Sequence, residues 1–222
     1  MKILYTFTLL FFISLSSMSQ VMKPYSNHYY QRVNEFAGQS VVTTENTIIL
    51  GNSLVEKGGN WCKRLHRRNI LNRGITGDGA SGVYDRLYQI LPGHPKTIFL
   101  IIGVNDISNN LSTDSIKILV AQIIDKIQTE SPRTKLYLQS LLPINESFDK
   151  YKKLINKTDT IPELNDKLKQ LARVKRICYI NLFSSFVMPG TDILRKELSV
   201  DGLHLTEAGY TLWGKCLRKY RY

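Results

Sequence analysis

Two short segments carry side chains that could do chemistry together. Val200-Asp201-Gly202-Leu203-His204-Leu205 puts a carboxylate three residues before an imidazole. Leu50-Gly51-Asn52-Ser53-Leu54 puts a serine just after an apolar run. A serine hydroxyl attacks poorly at neutral pH unless a base takes its proton and donors hold the oxyanion that forms. The glycine between Asp201 and His204 allows a tight turn, which brings the carboxylate to His204 Nδ1. The ring is then held in the tautomer whose Nε2 can accept the serine proton. The chemistry in view is transfer of an acyl group from an ester to serine and then to water. Taken singly, Ser53 reads equally as a helix N-cap and Asp201 as an Asx-type turn. Those readings leave His204 without a role.

Two further segments could stabilise an oxyanion. Gly103-Val104-Asn105-Asp106 follows the strongest strand candidate of the chain, and the Asn105 amide can donate. Asn72-Arg73-Gly74-Ile75-Thr76-Gly77-Asp78 follows another short run, and a glycine lets its own N–H approach a ligand closely. Both segments are also ordinary turn sequences when read alone.

The elements that must position these residues alternate in type. Strands are expected at Thr47–Leu50, Asn69–Asn72, Thr97–Ile102, Lys135–Gln139 and Ile177–Asn181. Thr97–Ile102 is apolar throughout, as a strand buried on both faces should be. Ile116, Leu119, Val120, Ile123, Ile124 and Ile127 form one helical stripe, which Pro132 ends. Ile161, Leu164, Leu168, Leu171 and Ala172 form a second, with capping-box spacing at Thr160 and Glu163. Gly209, Leu212, Trp213, Cys216, Leu217 and Tyr220 form a third, with Thr206 as its N-cap. Alternation over five strands implies an α/β fold, a parallel sheet covered on both faces. In such a sheet the site lies beyond the carboxyl ends of the strands, where Ser53, Gly77 and Asn105 fall.

At 222 residues the chain is long enough for one sizeable core, and one catalytic domain is expected over 47–222. Met1-Lys2, an apolar run from Ile3 to Leu15 and a small-residue region ending near Ser19 read as a signal peptide over 1–19. An uncleaved anchor is the alternative; the run is short for a bilayer span. The protein is therefore expected to be exported, to a bacterial periplasm or beyond the cell, with no membrane span after processing. Residues 20–46 read as a tyrosine-rich extension with a short helix near Tyr29–Ala37. The formal charge is +12, with the densest basic cluster at Lys63-Arg64-Leu65-His66-Arg67-Arg68. No nucleic-acid motif surrounds that cluster, so a solvated basic face is expected and nucleic acid is not. Cys62, Cys178 and Cys216 have no metal-ligand spacing; one disulfide or buried free thiols fit equally.

The four segments occur in one order, each behind a strand or before the last helix. In this the chain resembles the SGNH (GDSL-type) hydrolase superfamily, from about Thr47 to the C-terminus. Asp-Gly-Leu-His-Leu and Gly-Val-Asn-Asp are the specific pieces. The resemblance implies a three-layer α/β/α flavodoxin-like fold and a Ser-His-Asp triad. Ser53 would be nucleophile, His204 base and Asp201 its orienter. The N–H groups of Ser53 and Gly77 with the Asn105 amide would form the oxyanion hole. No metal or organic cofactor is implied. The family name reads Gly-Asp-Ser-Leu where this chain has Gly-Asn-Ser-Leu; Asn52 keeps the size and loses a charge. The chain lacks the Gly-x-Ser-x-Gly of an α/β-hydrolase elbow.

The blocks on a short exported chain are similar to bacterial carbohydrate O-acetylesterases, sialate-type ones included. They are similar also to platelet-activating-factor acetylhydrolase-like esterases. Both release acetate, so a small-molecule or glycan acetyl ester is the expected substrate. A lysophospholipase or thioesterase of the same fold is the alternative enzyme, and a non-catalytic glycan-binding module the alternative class. The connection over 140–159 leaves a strand end and should border the pocket. Phe148 and Tyr151 are expected there as a sugar-stacking wall, with Asn145 as a polar contact.

Overall fold

Thr47-Ile48-Ile49-Leu50-Gly51 and Thr97-Ile98-Phe99-Leu100-Ile101 are buried along their whole length, which only central strands of a covered sheet achieve. The computed structural model of the chain describes residues 25–39 and 41–220; the expected signal peptide lies outside them. In chain order the elements are α1 (Asn27–Ala37), β1 (Thr47–Gly51), α2 (Ser53–Lys57), α3 (Trp61–Leu65), β2 (Ile70–Gly74), α4 (Ala80–Asp85) and β3 (Thr97–Ile101). There follow α5 (Val104–Ser108), α6 (Thr113–Glu130), β4 (Lys135–Gln139), α7 (Thr160–Val174), β5 (Cys178–Ile180), α8 (Phe183–Phe186) and α9 (Glu207–Leu217). Two 3-10 turns, Glu146–Phe148 and Lys152–Leu154, lie between β4 and α7.

The five strands pair in the order β2-β1-β3-β4-β5, all parallel. This is the flavodoxin-like order, in which the winding reverses between β1 and β3 and a crevice opens beyond their carboxyl ends. Side chains alternate across each strand and feed two layers. Ile48, Leu50, Ile98 and Leu100 pack against the stripes of α6 and α7. Ile49, Phe99, Ile101 and Tyr137 pack against Trp61 and Leu65 of α3 and Tyr210, Trp213 and Leu217 of α9. Each such aliphatic or aromatic side chain is worth roughly 1.5–3 kcal/mol when fully buried, so the stripes fix the helices more firmly than their caps do. Leu119 lies at the margin of its stripe, partly buried.

Several boundaries differ from those the sequence predicts. Asn69 takes a left-handed conformation with φ 61°, so β2 starts at Ile70. Pairing of Gly51 with Gly74 carries β1 one residue and β2 two residues past their apolar runs. At the other margin, β5 keeps only three residues. The capping box does not form. Asp159 holds the N-cap position of α7, and Thr160 is its first helical residue. The Glu163 carboxylate is drawn outward, accepting from Thr113 Oγ1 at 2.5 Å and pairing with Lys167 at 3.2 Å. Thr206 does cap α9, accepting from Gly209 N at 3.2 Å. The three cysteines are free, and Cys178 is exposed rather than buried.

The helix expected in the N-terminal extension is α1, and it is docked. Tyr29 and Phe36 pack on Ile75 beside the turn that holds Gly77. Glu56, on α2, accepts from His28 Nε2 at 3.0 Å and from Thr76 N at 2.5 Å, and pairs with Arg32 Nε at 3.2 Å.

Gly74 shows how closely α2 sits on the sheet. A Cβ there would lie 2.2 Å from Glu56 N and 2.8 Å from Asn52 O, both backbone atoms of the segment carrying Ser53. Gly74→Ala is expected to cost roughly 1–3 kcal/mol as an overpacking change. Thermal denaturation should read this as a Tm lower by about 2–4 °C for each kcal/mol.

Candidate active site

Ser53 is the first residue of α2, directly after β1, and is 4% exposed. Asn52 is the N-cap: its Oδ1 accepts from Leu54 N at 3.0 Å. The amide oxygen does there what a carboxylate would do, which explains why the sequence tolerates Asn52 for Asp. Tyr210 Oη donates to Leu54 O at 2.9 Å and ties the first turn of α2 to α9.

His204 precedes α9 and is 6% exposed. Its Nε2 lies 2.9 Å from Ser53 Oγ, across 151 positions of sequence. Its Nδ1 lies 2.8 Å from Asp201 Oδ2. The other carboxylate oxygen, Oδ1, accepts from Leu203 N at 3.0 Å and His204 N at 2.7 Å. Burial opposes charge on Asp201. Bonds from the His204 ring and from the His204 and Leu203 backbone outweigh it and hold the carboxyl below its ordinary range. With Asp201 anionic, the Nδ1–H tautomer is the favoured one, leaving Nε2 as an acceptor toward Ser53.

The turn between the two residues is built tightly. Gly202 has φ 89°, and a Cβ there would lie 2.3 Å from Asn145 O. Ser199 Oγ donates to His204 O at 2.8 Å and accepts from Gly202 N at 2.8 Å. Ser199 is a positioning residue that the Asp-x-x-His spacing does not point to.

The Gly77 turn follows β2 and α5 follows β3, at the same carboxyl edge of the sheet as Ser53. Gly77 has φ 82° and its Cβ position opens onto free space. Among the described residues neither Ser53 N nor Gly77 N donates to another group. Asn105 Nδ2 donates to Asp78 O at 2.8 Å, which orients the amide and leaves its second hydrogen available. Among the described residues, three N–H groups at this sheet edge are thus left able to donate.

A buried node behind the turn was not legible from motifs. Arg86 and Asp78 form an ion pair at 2.9 Å, both side chains about 1% exposed or less. Arg86 also donates to Arg73 O and Gly51 O at 3.0 Å each, gathering the ends of β1 and β2. Asp106 accepts from Ala80 N at 3.1 Å on both its oxygens and so fixes the start of α4. Burial pushes both Asp78 and Asp106 up to about 6, against the pull of Arg86 on Asp78 and of the Ala80 amide on Asp106.

The connection over 140–159 differs from its expected role. Asn145 is buried, 4% exposed, and its side chain is bonded inside the chain: Nδ2 donates to Leu194 O at 2.8 Å and Oδ1 accepts from Ser147 N at 3.1 Å. Its backbone N donates to Gly202 O at 2.8 Å, so Asn145 braces the Asp201–His204 turn. Phe148 is half-buried beside Gly202. Tyr151 is not a free-standing wall. Its Oη lies 3.0 Å from Asp201 Oδ2 and 2.8 Å from His204 Nδ1, with its ring edge-on to the imidazole at 5.5 Å. Burial and then the Asp201 carboxylate push the Tyr151 hydroxyl up to about 12, so it stays protonated and donates to Oδ2.

Ser53, His204 and Asp201 meet in one hydrogen-bonded chain at the reversal point of a parallel sheet, and this is the candidate site. Residues 8–212 match the GDSL-like lipase/acylhydrolase family, and the chain belongs to that family, whose members are carboxylic ester hydrolases. No curated protein is similar enough to count as a relative. The fold is shared with a protein of Streptococcus pneumonia described as a platelet activating factor, at 27% identity and TM-score 0.78, over 88% of this chain and 93% of that one. It is shared with a GDSL-like lipase of Bacteroides thetaiotaomicron at 20% identity and TM-score 0.75, over 86% and 95%. An acetyl xylan esterase, AlAXEase, is similar at 21% identity and TM-score 0.65, over 78% and 98%.

Arg86→Met is expected to destabilise by roughly 3–5 kcal/mol, because it leaves a buried carboxylate unpaired. A folded-state pKa above the unfolded value means the native state binds more protons, so stability falls as pH rises through about 6. Without Arg86 the Asp78 pKa rises further. The deficit should therefore be largest at pH 7–8 and narrow toward pH 5, as urea unfolding at the two pH values would read.

Proposed function

We propose that this protein hydrolyses short-chain, chiefly acetyl, esters of carbohydrates through Ser53, His204 and Asp201. The observation that carries the reading is the unbroken relay from Ser53 Oγ to His204 Nε2 at 2.9 Å and from Nδ1 to Asp201 Oδ2 at 2.8 Å. In the first half-reaction Ser53 Oγ bonds to the acyl carbon while its proton passes to His204 Nε2. The carbonyl oxygen becomes an oxyanion held by Ser53 N, Gly77 N and the Asn105 amide. His204 then returns the proton to the departing alkoxide. In the second, water gives its proton to His204, its oxygen attacks the acyl-enzyme, and the proton goes back to Ser53 as the carboxylic acid leaves. Asp201 stays ionised throughout and stabilises the transient imidazolium. Tyr151, donating to the same oxygen that faces the imidazole, holds Asp201 in register.

Three observations support a short acyl group and a sugar. An apolar cavity lined by Leu54, Val104, Leu141 and Leu203, chain neighbours of Ser53, Asn105 and His204 among them, measures about 10 Å³. That is room for about one water-sized group, too little for a long acyl chain. Polar side chains line the depression beside α5. Acetyl xylan esterase, which acts on a sugar ester, shares the fold. The apolar run behind Lys2 supports export, where such glycans are met.

The test compares p-nitrophenyl acetate, butyrate and octanoate, with acetate release from acetylated xylan. Acetate should be the best acyl group, and a preference for octanoate would move the protein to the lipid-hydrolase reading. Ser53→Ala should remove nearly all turnover, and activity that survives it refutes the nucleophile. Asn105→Ala should lower kcat on the order of a hundredfold or more, the usual effect of losing one oxyanion donor. Tyr151→Phe should cost about 1 kcal/mol, or roughly fivefold in kcat, with KM little changed.

A further inference from the structure

One face of the molecule beside the catalytic centre is left unexplained by ester hydrolysis alone. An open groove of about 580 Å³ runs between the end of α5 and the 3-10 turn at Lys152–Leu154. Both walls start at the site. Asn105 lies one helical turn before Ser108 on α5, about 4.5 Å along its axis, and Tyr151, bonded to Asp201, directly precedes Lys152.

The groove is lined by three lysines, and among the described residues only one has an acid partner. Lys152 is paired with Asp149. Lys153 and Lys157 have no carboxylate partner among the described residues. Glu146, in the same connection, is already committed: its carboxylate accepts from Asn156 N at 2.8 Å and from Lys157 N and Thr158 N at 3.0 Å each. Those bonds hold the carboxyl below its ordinary range, after burial has opposed it. They also fix the backbone that presents the lysines, with Asn156 left-handed at φ 59°.

The rest of the lining is made for hydroxyls. The side chains of Ser108, Asn109, Asn110 and Asn156 make no hydrogen bond to other described residues. Ile155 adds an apolar side. Carboxamides with both donor and acceptor capacity suit a sugar's hydroxyl groups, while ammonium groups suit a carboxylate. A lipid surface calls for a contiguous apolar rim instead, and this groove has a single aliphatic side chain.

We propose that the groove is a subsite for an acidic saccharide, in which Lys153 and Lys157 bind a sugar carboxylate adjoining the esterified residue. The proposal rests on the ester-hydrolase reading and names which glycans that site prefers. The substrates are O-acetylated uronate-containing oligosaccharides rather than neutral ones.

The test measures kcat and KM of the full chain and of a Lys153→Gln/Lys157→Gln variant. The substrates are an acetylated oligogalacturonide, an acetylated xylo-oligosaccharide and p-nitrophenyl acetate. The expected result is a KM for the oligogalacturonide about tenfold higher in the variant, the worth of a single charge-assisted hydrogen bond. Its kcat, and both constants for the two neutral esters, should be unchanged. Rising salt should weaken only the oligogalacturonide reaction of the unaltered protein. Equal KM for acidic and neutral sugars in the unaltered protein overturns the subsite while leaving the hydrolase intact. Failure to hydrolyse any of the three esters overturns the underlying reading instead. Sedimentation with phosphatidylglycerol vesicles supplies the remaining arm. Vesicle binding abolished in the variant, with saccharide KM unaltered, assigns the lysines to a membrane surface and overturns the proposal.

Discussion

The bond between Ser53 Oγ and His204 Nε2 is the constraint on which the other arrangements depend. One end directly follows a strand buried along its whole length, and the other sits on a turn just before the last helix. Neither end can be adjusted locally. A hydrogen bond weakens steeply outside about 2.7–3.2 Å, so strand register, the seat of α2 and the packing of α9 must agree to a fraction of an ångström. The two indoles divide that work. Trp61 Nε1 donates to Val55 O at 3.0 Å, anchoring α3 under α2, and Trp213 Nε1 donates to Gln139 Oε1 at 2.8 Å, anchoring α9 to the sheet. Their rings meet edge to face at 5.0 Å, so the two anchors support each other.

A second layer of polar groups fixes the strand ends and the Gly77 turn. Arg86 ties together β1, β2 and the Gly77 turn from within, at the cost of burying a charge. A buried ion pair is weak evidence for stability as such. Here its geometry points to a positional role. Its three nitrogens meet Asp78 and two carbonyls at strand ends, leaving those backbone groups satisfied where the sheet pattern stops. Asp106 does the same for the first turn of α4, and Asn105 closes the set by reading Asp78 O. α1 presses on this assembly from outside through Tyr29, whose Oη donates to Gly82 O at 3.1 Å, and through Glu56. The extension at the N-terminus thus braces the same turn.

Much of the fold was legible because apolar periodicity is a direct image of burial. The stripes of α6, α7 and α9 and the runs of β1, β3 and β4 follow from side-chain direction alone. The failures have physical reasons as well. Strand ends moved because backbone pairing continues past the last apolar side chain, as at Gly74. The Thr160–Glu163 box failed because Glu163 found better partners, Thr113 on the neighbouring α6 and Lys167 one turn on along its own helix. Asn145 was expected to face a ligand, but a polar side chain on a loop is as readily consumed by its own backbone, which no spacing reveals. Tyr151 does stand at the rim, and its hydroxyl is bonded to Asp201. A sequence displays that ring and conceals what the hydroxyl bonds to.

Residue order determined which groups this chain has to work with: a serine behind a strand, a carboxylate three places before an imidazole, an asparagine and a glycine at other strand ends. It determined the layers too, since burial follows from pattern. Only tertiary structure decided that the hydroxyl meets the imidazole, that Arg86 stands behind the Gly77 turn, and that two of the three lysines flanking the groove have no acid partner among the described residues. Those facts concern distances between atoms far apart along the chain. Such distances are set by the sum of many packing contacts, and no local stretch of residues contains them.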